Sequence, residues 1–352
     1  EHIFPAEAAH INPESVRIGT LLSCSEMLLS GTTCCCDGYF YEYAVAEAVE
    51  KAGIRAVLGQ GIVDFPTPDS PDPSKSLDTA MEFVRAWQNR SSRIRPSIFC
   101  HSPYTCSSKT LKRAKQAAKE ADVLFQIHAA ETQDEAGLSG LDKNASIIRY
   151  LADQGVLDEN TLASHCVWIN AVDISLLHDT GAGVSHNPES NMKLASGIAP
   201  VPALLGAGVK TGLGTDGCAS NNNLDMFEAM DFAAKLHKAA AKDPTVMDAE
   251  TVVRMATIEG ARTLGMDRLT GSVEEGKAAD IIVIDAKKPH LVPMYHPESH
   301  LVYSVCGADV AHVMVDGQLL VSEGRLVHMD LKDILASAYK IGRSIRQTNP
   351  KT

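Results

Sequence analysis

Histidines and carboxylates recur in this sequence near the ends of short apolar runs. His128 and Glu131 share the segment Gln-Ile-His-Ala-Ala-Glu, His165 follows Ala-Ser, and Asp216 stands between glycines in Leu-Gly-Thr-Asp-Gly. Neutral imidazoles and carboxylates are ligands for a borderline metal such as zinc. A nearby carboxylate that is not a ligand can shuttle protons in a hydrolytic attack. These residue types therefore indicate a metal-dependent hydrolase.

Each of these motifs is weak when it is taken alone. His-x-x-Glu pairs arise often by chance, and an Asp flanked by glycines can equally be a turn or helix-capping residue. His165 could orient a water at the metal or could itself be a ligand. The number of such positions favours a functional site, because His101 and His186 also follow or end predicted strands. Several polar side chains gathered at one place are hard to explain as core residues, since burying unpaired polar groups lowers stability.

The elements that must position these residues alternate between short β-branched runs and amphipathic segments. The sequence predicts strands at Thr32–Asp37, Ile54–Gly59, Ile94–Cys100, Val123–His128, Thr161–Cys166, Gly183–His186 and Val209–Gly214. It predicts helices near residues 15–29, 41–52, 75–89, 108–121, 143–154, 171–180 and 198–206.

This alternation predicts an α/β fold, a (β/α)8 barrel of the TIM type. A doubly wound sheet is disfavoured because no glycine-rich phosphate turn follows the first strand. In a barrel the carboxyl ends of the strands meet at one mouth, where the His and Asp side chains would converge.

The rest of the chain follows a different pattern. Residues 224–241 and 248–264 are predicted helices, and short strands follow, with a hairpin at the Asp316-Gly317 turn and a last helix near 330–345. We therefore predict a hydrolase barrel over residues 1–268, a small β-sandwich module over 269–328, and a C-terminal helix and tail over 329–352. Residues 64–76 contain four prolines and are predicted to form a loop, either a lid or a simple connection.

Composition narrows the class of partner. The chain has 352 residues, 45% of them hydrophobic, and a formal net charge of −12, which opposes binding to nucleic acid. Its apolar runs, such as Ala279–Ile284, are too short to span a bilayer, and no secretion signal is evident. The nine cysteines lack disulfide or CxxC spacing. We expect a cytoplasmic enzyme with reduced thiols and a small-molecule substrate.

Two longer segments resemble the amidohydrolase superfamily, and within it the methylthioadenosine/S-adenosylhomocysteine deaminase group. They are residues 185–200 (Ser-His-Asn-Pro-Glu-Ser-Asn-Met-Lys-Leu-Ala-Ser-Gly-Ile-Ala-Pro) and residues 213–227 (Leu-Gly-Thr-Asp-Gly-Cys-Ala-Ser-Asn-Asn-Asn-Leu-Asp-Met-Phe). The segments 100–106 and 271–285 and the His128 motif agree with the group in order and spacing. The resemblance covers essentially the whole chain.

The resemblance implies hydrolytic deamination of an adenosine-type nucleoside, 5′-methylthioadenosine or S-adenosylhomocysteine, with water attack at C6 and release of ammonia. It implies that His128 and Asp216 are ligands of one divalent metal, with zinc the first expectation. His165 would contact the water at the metal, and Glu131 would donate a proton to the purine ring nitrogen. Asp216 would also take the proton of the water and help deliver it to ammonia.

Two further residues are assigned by the resemblance to substrate binding, together with Glu131 and Asp216. His101 would contact the base or ribose side of the substrate, and Glu7 would hold the ribose hydroxyls. Glu7 has no other signal in the sequence.

The sequence departs from the family pattern in two places. The family begins its barrel with a strand that ends in His-x-His and supplies two metal ligands, and this chain contains no His-x-His. We expect that strand, both histidines and part of the β module to lie upstream of residue 1. Some members also hold an acidic substrate tail with arginines, whereas residues 59–80 contain no Arg and one lysine, Lys75. This shifts the expectation away from substrates with a carboxylate tail.

Two alternatives stay open at this point. The same metal site could act on another amino- or chloro-substituted heterocycle, such as guanine or a triazine. The chain could also be a non-catalytic amidohydrolase-like scaffold. The sequence leaves the exact substrate, the identity of the metal and the oligomeric state undetermined, and a homo-oligomer is compatible with it.

Overall fold

A curled parallel sheet of seven strands forms the centre of the protein. The computed structural model describes residues 3–348. The strands pair in chain order, as in a barrel, and all seven were predicted. They are β1 (Cys34–Tyr39), β2 (Arg55–Ile62), β3 (Ile94–Cys100), β4 (Phe125–Ala129), β5 (Thr161–His165), β6 (Gly183–His186) and β7 (Thr211–Leu213).

Helices follow or flank most of these strands. They are α1 (Ile3–His10), α2 (Pro13–Leu29), α3 (Glu42–Ala52), α4 (Ser76–Trp87), α5 (Ser108–Ala121), α6 (Glu135–Leu138), α7 (Ile147–Asp153), α8 (Ala171–Thr180), α9 (Pro188–Lys193), α10 (Val201–Gly206), α11 (Met226–Ala241), α12 (Ala249–Ala256), α13 (Ile258–Thr263), α14 (Pro297–Tyr303) and α15 (Leu331–Thr348). The parallel order and the flanking helices confirm the barrel-type architecture.

Helix α5 shows how the sequence pattern produces this packing. Leu111, Ala114 and Ala118 form a buried stripe, and most of the lysines lie on the opposite face, as helical periodicity predicts. Lys115 is the exception, because it is buried and pairs with Asp158. An ion pair of this kind lets a charged residue occupy the inner face of a helix.

One predicted helix is divided in two. Residues 248–264 form α12 and α13, which are separated at Thr257, where φ is −126° and ψ is −101°. The Thr257 hydroxyl donates to the carbonyl of Val253 at 2.7 Å, a bond that competes with regular helix geometry. The break accompanies a close approach to the sheet, since a Cβ on Gly212 would lie 2.8 Å from the Cα of Gly260.

A second, antiparallel sheet follows the parallel one along the chain. Its strands are β8 (Ile281–Ile284), β9 (Val310–Val315), β10 (Gln318–Ser322) and β11 (Arg325–Leu326), in the order β11-β10-β9-β8. Asp316 and Gly317 have φ values of 52° and 75°, as the primed turn of a two-residue hairpin requires.

The C-terminal helix α15 lies outside that sheet. Ile334 packs against Leu21 of α2 and Ala48 of α3. The domain boundaries at residues 268 and 328 stay a prediction, and residues 349–352 of the predicted tail lie outside the described residues.

A buried ion pair connects the two sheets. Arg55 of β2 meets Asp280, the residue before β8, with Nε–Oδ2 and Nη2–Oδ1 distances of 2.6 and 2.9 Å. Both side chains are only 1% exposed. Burial alone would raise the pKa of Asp280, but hydrogen bonds from Arg55 and from the backbone of Asp316 outweigh burial and lower the pKa.

Replacing Asp280 with Asn should lower the free energy of unfolding by about 3–5 kcal/mol, because Arg55 is left as an uncompensated buried charge. Urea unfolding at neutral pH measures this. The matched control is Lys235→Ala, which removes an exposed ion pair with Asp231 and should change stability by no more than about 0.5 kcal/mol. Because the folded pKa of Asp280 is lowered, the contribution is present above pH ~4 and is lost as the pH falls through the folded pKa. Equal losses in the two variants would contradict this account.

The proline-rich segment 64–76 is anchored to the ends of β1 and β2. The Asp69 carboxylate accepts the backbone N–H of Tyr41 at 2.7 Å and the side-chain amide of Gln60 at 2.8 Å. Apart from a 3-10 turn at Pro73–Lys75, residues 64–75 contain no helix or strand.

The nine cysteines are all unpaired in the structure. Among the helices of residues 3–348, none has the length and apolar character needed to cross a membrane.

Candidate active site

The end of β4 positions the first pair of predicted site residues. His128 is part of β4, and its ring centroid lies 5.3 Å from that of His165 and 5.2 Å from that of His101. Ala130, directly after the strand, has a φ of 53°, in the left-handed region that residues with a side chain seldom adopt. This turn brings Glu131 back toward the same group of histidines.

His165 ends β5 and lies between two carboxylates. Its Nε2 is 3.9 Å from Glu131 Oε2 and 3.9 Å from Asp216 Oδ2. Its Nδ1 lies 2.9 Å from the amide nitrogen of Asn191 in α9. Because an amide nitrogen only donates, Nδ1 is the acceptor, and the neutral ring carries its proton on Nε2. The donor of His165 is therefore directed at the space between the carboxylates.

Asp216 follows β7 in a strained turn. Its φ is 61°, and its carboxylate accepts the Ser190 hydroxyl on Oδ2 and the Gly217 N–H on Oδ1, both at 2.7 Å. The preceding Gly214 is required by close packing, since a Cβ there would lie 2.8 Å from the Ser185 hydroxyl. These contacts fix the direction of the Asp216 carboxylate.

Burial sets the charge of these groups. It lowers the pKa of His128, and the neighbouring His165 adds to this. It also lowers the pKa of His165, against the opposing effect of Asp216. Burial raises the pKa of Glu131. The histidines are thus neutral imidazoles near neutral pH, the form that can bind a metal.

His101 lies directly after β3, next to His128. Its Nδ1 is 3.1 Å from the hydroxyl oxygens of Ser102 and Thr105, and its ring meets the Tyr104 ring edge-on at 5.7 Å. Burial, with the adjacent His128, lowers the pKa of His101 to about 3. It is therefore a neutral hydrogen-bonding group.

Glu7 lies on α1 and is brought to the end of β1. Its Oε1 accepts the hydroxyl of Tyr39 at 2.5 Å. This hydrogen bond restrains the side chain of Glu7, which only the family resemblance had indicated as a site residue. Tyr39 itself was not predicted as a site residue.

A cavity of about 1350 Å³ connects these positions. Its lining includes Glu7, His101, His128 and Asp216, four of the six predicted site residues. Glu131 and His165 are joined to this group by the contacts of His165 described above. The cavity extends between β1 and β7, the two edges of the parallel sheet, and no strand of residues 3–348 closes that gap.

His186 behaves differently from the other strand-end histidines. It is fully buried, and its Nε2 lies 3.0 Å from Nε2 of His237 in α11. The pair connects β6 to that helix, so the strand-end pattern overestimated the number of histidines at the site.

One group of three metal-type side chains lies in the second part of the chain. His290, Cys306 and Asp309 have potential ligand atoms within 4.8 Å of one another. However, the carboxylate of Asp309 is already held by Lys288 at 2.8 Å and by the Cys306 N–H at 2.9 Å. We interpret this group as an ion-paired turn.

Besides Tyr39, three supporting residues were missed by sequence reasoning. Ser190 and Asn191 are consecutive buried polar residues in α9, and the signal available in the sequence was their position inside the segment 185–200 that carries the family resemblance. Glu135, whose carboxylate accepts the N–H of Glu131 at 2.7 Å, gave no signal beyond its position.

Comparison with known proteins assigns the chain to a family. The sequence pattern of the amidohydrolase family matches residues 2–320. This chain belongs to the amidohydrolase family. This amidohydrolase is 46% identical to a 5-methylthioadenosine/S-adenosylhomocysteine deaminase from Syntrophobacter fumaroxidans over 346 residues, 98% of this chain and 78% of the relative.

Two other proteins extend the comparison. The amidohydrolase is 42% identical over 346 residues to a 5′-deoxyadenosine deaminase from Methanosarcina mazei, covering 98% of this chain and 79% of the relative. The crystal structure of an adenosine deaminase from Xanthomonas campestris with bound zinc superimposes with a TM-score of 0.94 at 36% identity, covering 98% of this chain and 79% of the other.

Proposed function

We propose that this amidohydrolase is a metal-dependent hydrolytic deaminase of adenosine-type nucleosides. The observation that carries the proposal is the position of His165, whose Nε2 lies 3.9 Å from the carboxylates of both Glu131 and Asp216. A proton donor between two carboxylates, beside a neutral His128, suits the activation of water for attack on a polarised carbon. Three similar proteins named as deaminases support the reaction.

His128 and Asp216 would hold the metal. A neutral imidazole and a carboxylate match the ligand preference of zinc, and the zinc in the Xanthomonas campestris deaminase supports that choice. When bound, the metal would lower the pKa of a water to about 7. The two histidine ligands expected upstream of Glu1 stay a prediction.

The protein side chains then divide the proton transfers. Nε2–H of His165 orients the water, and Asp216 takes a proton from it as its oxygen bonds to C6 of the purine. Glu131 donates a proton to the adjacent ring nitrogen, and burial favours its protonated form by raising its pKa. The C6–N bond breaks as Asp216 returns its proton to the departing ammonia, the hydroxyl at C6 gives its proton back to Glu131 as the carbonyl forms, and an inosine analogue remains.

The charge of the cavity favours a substrate without a carboxylate tail. The acidic residues Glu7 and Asp216 contribute to its lining, and their negative charges would repel such a tail. We therefore favour 5′-methylthioadenosine or 5′-deoxyadenosine over S-adenosylhomocysteine. His101 would contact the base or ribose side of the nucleoside.

Glu7 would bind the ribose hydroxyls through the oxygen that Tyr39 leaves available. Replacing Glu7 with Gln should raise the KM for 5′-methylthioadenosine about tenfold, as the loss of a hydrogen bond to a charged group predicts. It should leave the KM for the 2′,3′-dideoxy analogue unchanged. Steady-state kinetics on both substrates measure this, with the exposed Glu14→Gln as control. An equal rise for both substrates would reject the ribose assignment.

Release of ammonia tests the proposed function directly. The zinc-loaded natural protein, including any residues before Glu1, is assayed with 5′-methylthioadenosine, guanine and a chlorotriazine, and chloride release is followed for the last. Turnover of the nucleoside alone is expected. Turnover of only guanine or only the chlorotriazine would replace this function with one of the alternative reactions.

A further inference from the structure

The turn that carries Glu131 is held by a second carboxylate four residues further along the chain. Glu135 is 2% exposed, and its Oε2 accepts the backbone N–H of Glu131 at 2.7 Å. The N–H groups of Ala130 and Thr132 also act on this carboxylate and favour its charged form. Successive backbone N–H groups around a turn form an anion-binding concavity, which the chain here fills with its own side chain.

The backbone after β5 holds the same turn from the other side. The carbonyl oxygen of Ala130 accepts the N–H groups of Val167 and Trp168 at 2.9 and 2.8 Å. Ala130 has the left-handed φ of 53°, a conformation that persists only where its surroundings enforce it. The turn therefore depends on bonds to its N–H groups as well as to its carbonyl.

The orientation of Glu135 distinguishes it from an ordinary helix cap. Glu135 is the first residue of α6, and its carboxylate is directed at the residues before the helix. Burial raises its pKa to about 7, and the bonds from the N–H groups of Glu131 and Ala130 oppose that rise. Its other oxygen, Oε1, has no hydrogen-bond partner within residues 3–348. Burying this carboxylate lowers stability, and the hydrogen bonds from the N–H groups of the turn are its main compensation.

We propose that Glu135 is a positioning residue, whose carboxylate fixes the Ala130 turn and thereby the direction in which Glu131 meets the substrate. The inference rests on the proposed function, because Glu135 acts through the proton transfer assigned to Glu131.

A double-mutant cycle tests this proposal in the zinc-loaded natural protein. Glu135→Ala should lower kcat for 5′-methylthioadenosine about 100-fold, since a misplacement of about 1 Å can have that effect, and should change KM little. In a Glu131→Gln background the same change should lower kcat by no more than about twofold, within the scatter of non-interacting sites. Glu135→Gln retains one acceptor oxygen and should lie between wild type and Glu135→Ala.

The control is a carboxylate of the same kind away from the Glu131 turn. Asp173 in α8 is 1% exposed and accepts the N–H of Asn170 at 2.9 Å. Asp173→Asn should lower the melting temperature without lowering kcat. Thermal melting and zinc content are measured for every variant. If Glu135→Ala does not fold, Glu135→Gln replaces it in the double-mutant cycle.

The outcomes separate the two claims. Equal losses of kcat from the Glu135 change in both backgrounds, with an active wild type, would overturn the role of Glu135 and leave the proposed function intact. A loss of stability with unchanged kcat would do the same. A wild-type protein that releases no ammonia from any nucleoside would overturn the proposed function, and the role of Glu135 with it.

Discussion

Replacing Glu131 with Gln should lower kcat for 5′-methylthioadenosine by about 10²- to 10⁴-fold, the usual contribution of a general acid or base. Gln matches the size of Glu, so its shape and the backbone bond to Glu135 are kept while the transferable proton is lost. KM and zinc content should change little. The matched control is Glu120→Gln on the exposed face of α5, which should retain full activity.

Loss of zinc together with kcat in Glu131→Gln would point to a different role. Glu131 would then be a metal ligand rather than the proton donor. Unchanged kcat with unchanged zinc would remove Glu131 from the reaction altogether.

Replacing Asp216 with Asn should weaken zinc binding and lower the activity. Asn tolerates the left-handed backbone that Asp216 adopts, with φ at 61°, so the turn is retained while the charge is removed. Zinc affinity should fall by more than the roughly 10- to 100-fold that the loss of an outer hydrogen-bond partner produces. Metal analysis after dialysis, with activity measured on the same samples, checks this.

Ser190→Ala is the milder variant with which the zinc affinity of Asp216→Asn is compared. It removes only the hydroxyl bond to Asp216 Oδ2, so its loss of zinc affinity should be about 10- to 100-fold. An Asp216→Asn protein that keeps its zinc as tightly as Ser190→Ala would exclude Asp216 as a ligand.

The strands could be predicted because their residue types agree with their environment. Runs such as Ile94–Cys100 are bounded by polar residues and mostly buried, and repeated alternation with helices leaves few folds to consider. The antiparallel hairpin could be predicted equally well, since Asp-Gly between two apolar runs, as at Asp316-Gly317, is typical of a two-residue hairpin turn.

The sequence could not predict where local chemistry interrupts a regular pattern. The break at Thr257 depends on a hydroxyl bond and on the packing of Gly260 against Gly212, contacts that exist only in the folded chain. The short helices α6 and α9 are four and six residues long, too short for a periodic signal.

The sequence could predict the part of the candidate site that depends on strand topology. His128, His165 and Asp216 stand at strand ends, where topology alone brings them together. The pairing of His186 with His237 and the contact of Glu7 with Tyr39 depend on side-chain directions that spacing does not specify. The left-handed turns at Ala130 and Asp216 are likewise results of tertiary packing.

The central claim is hydrolytic exchange of the C6 amino group of a nucleoside for an oxygen from water. The most direct measurement is incubation of the zinc-loaded natural protein with 5′-methylthioadenosine in ¹⁸O-labelled water, followed by mass spectrometry of the nucleoside. We predict the inosine analogue with a single ¹⁸O atom at C6 and one ammonia released per product. A nucleoside recovered unchanged, or cleaved to a free base, would contradict the claim.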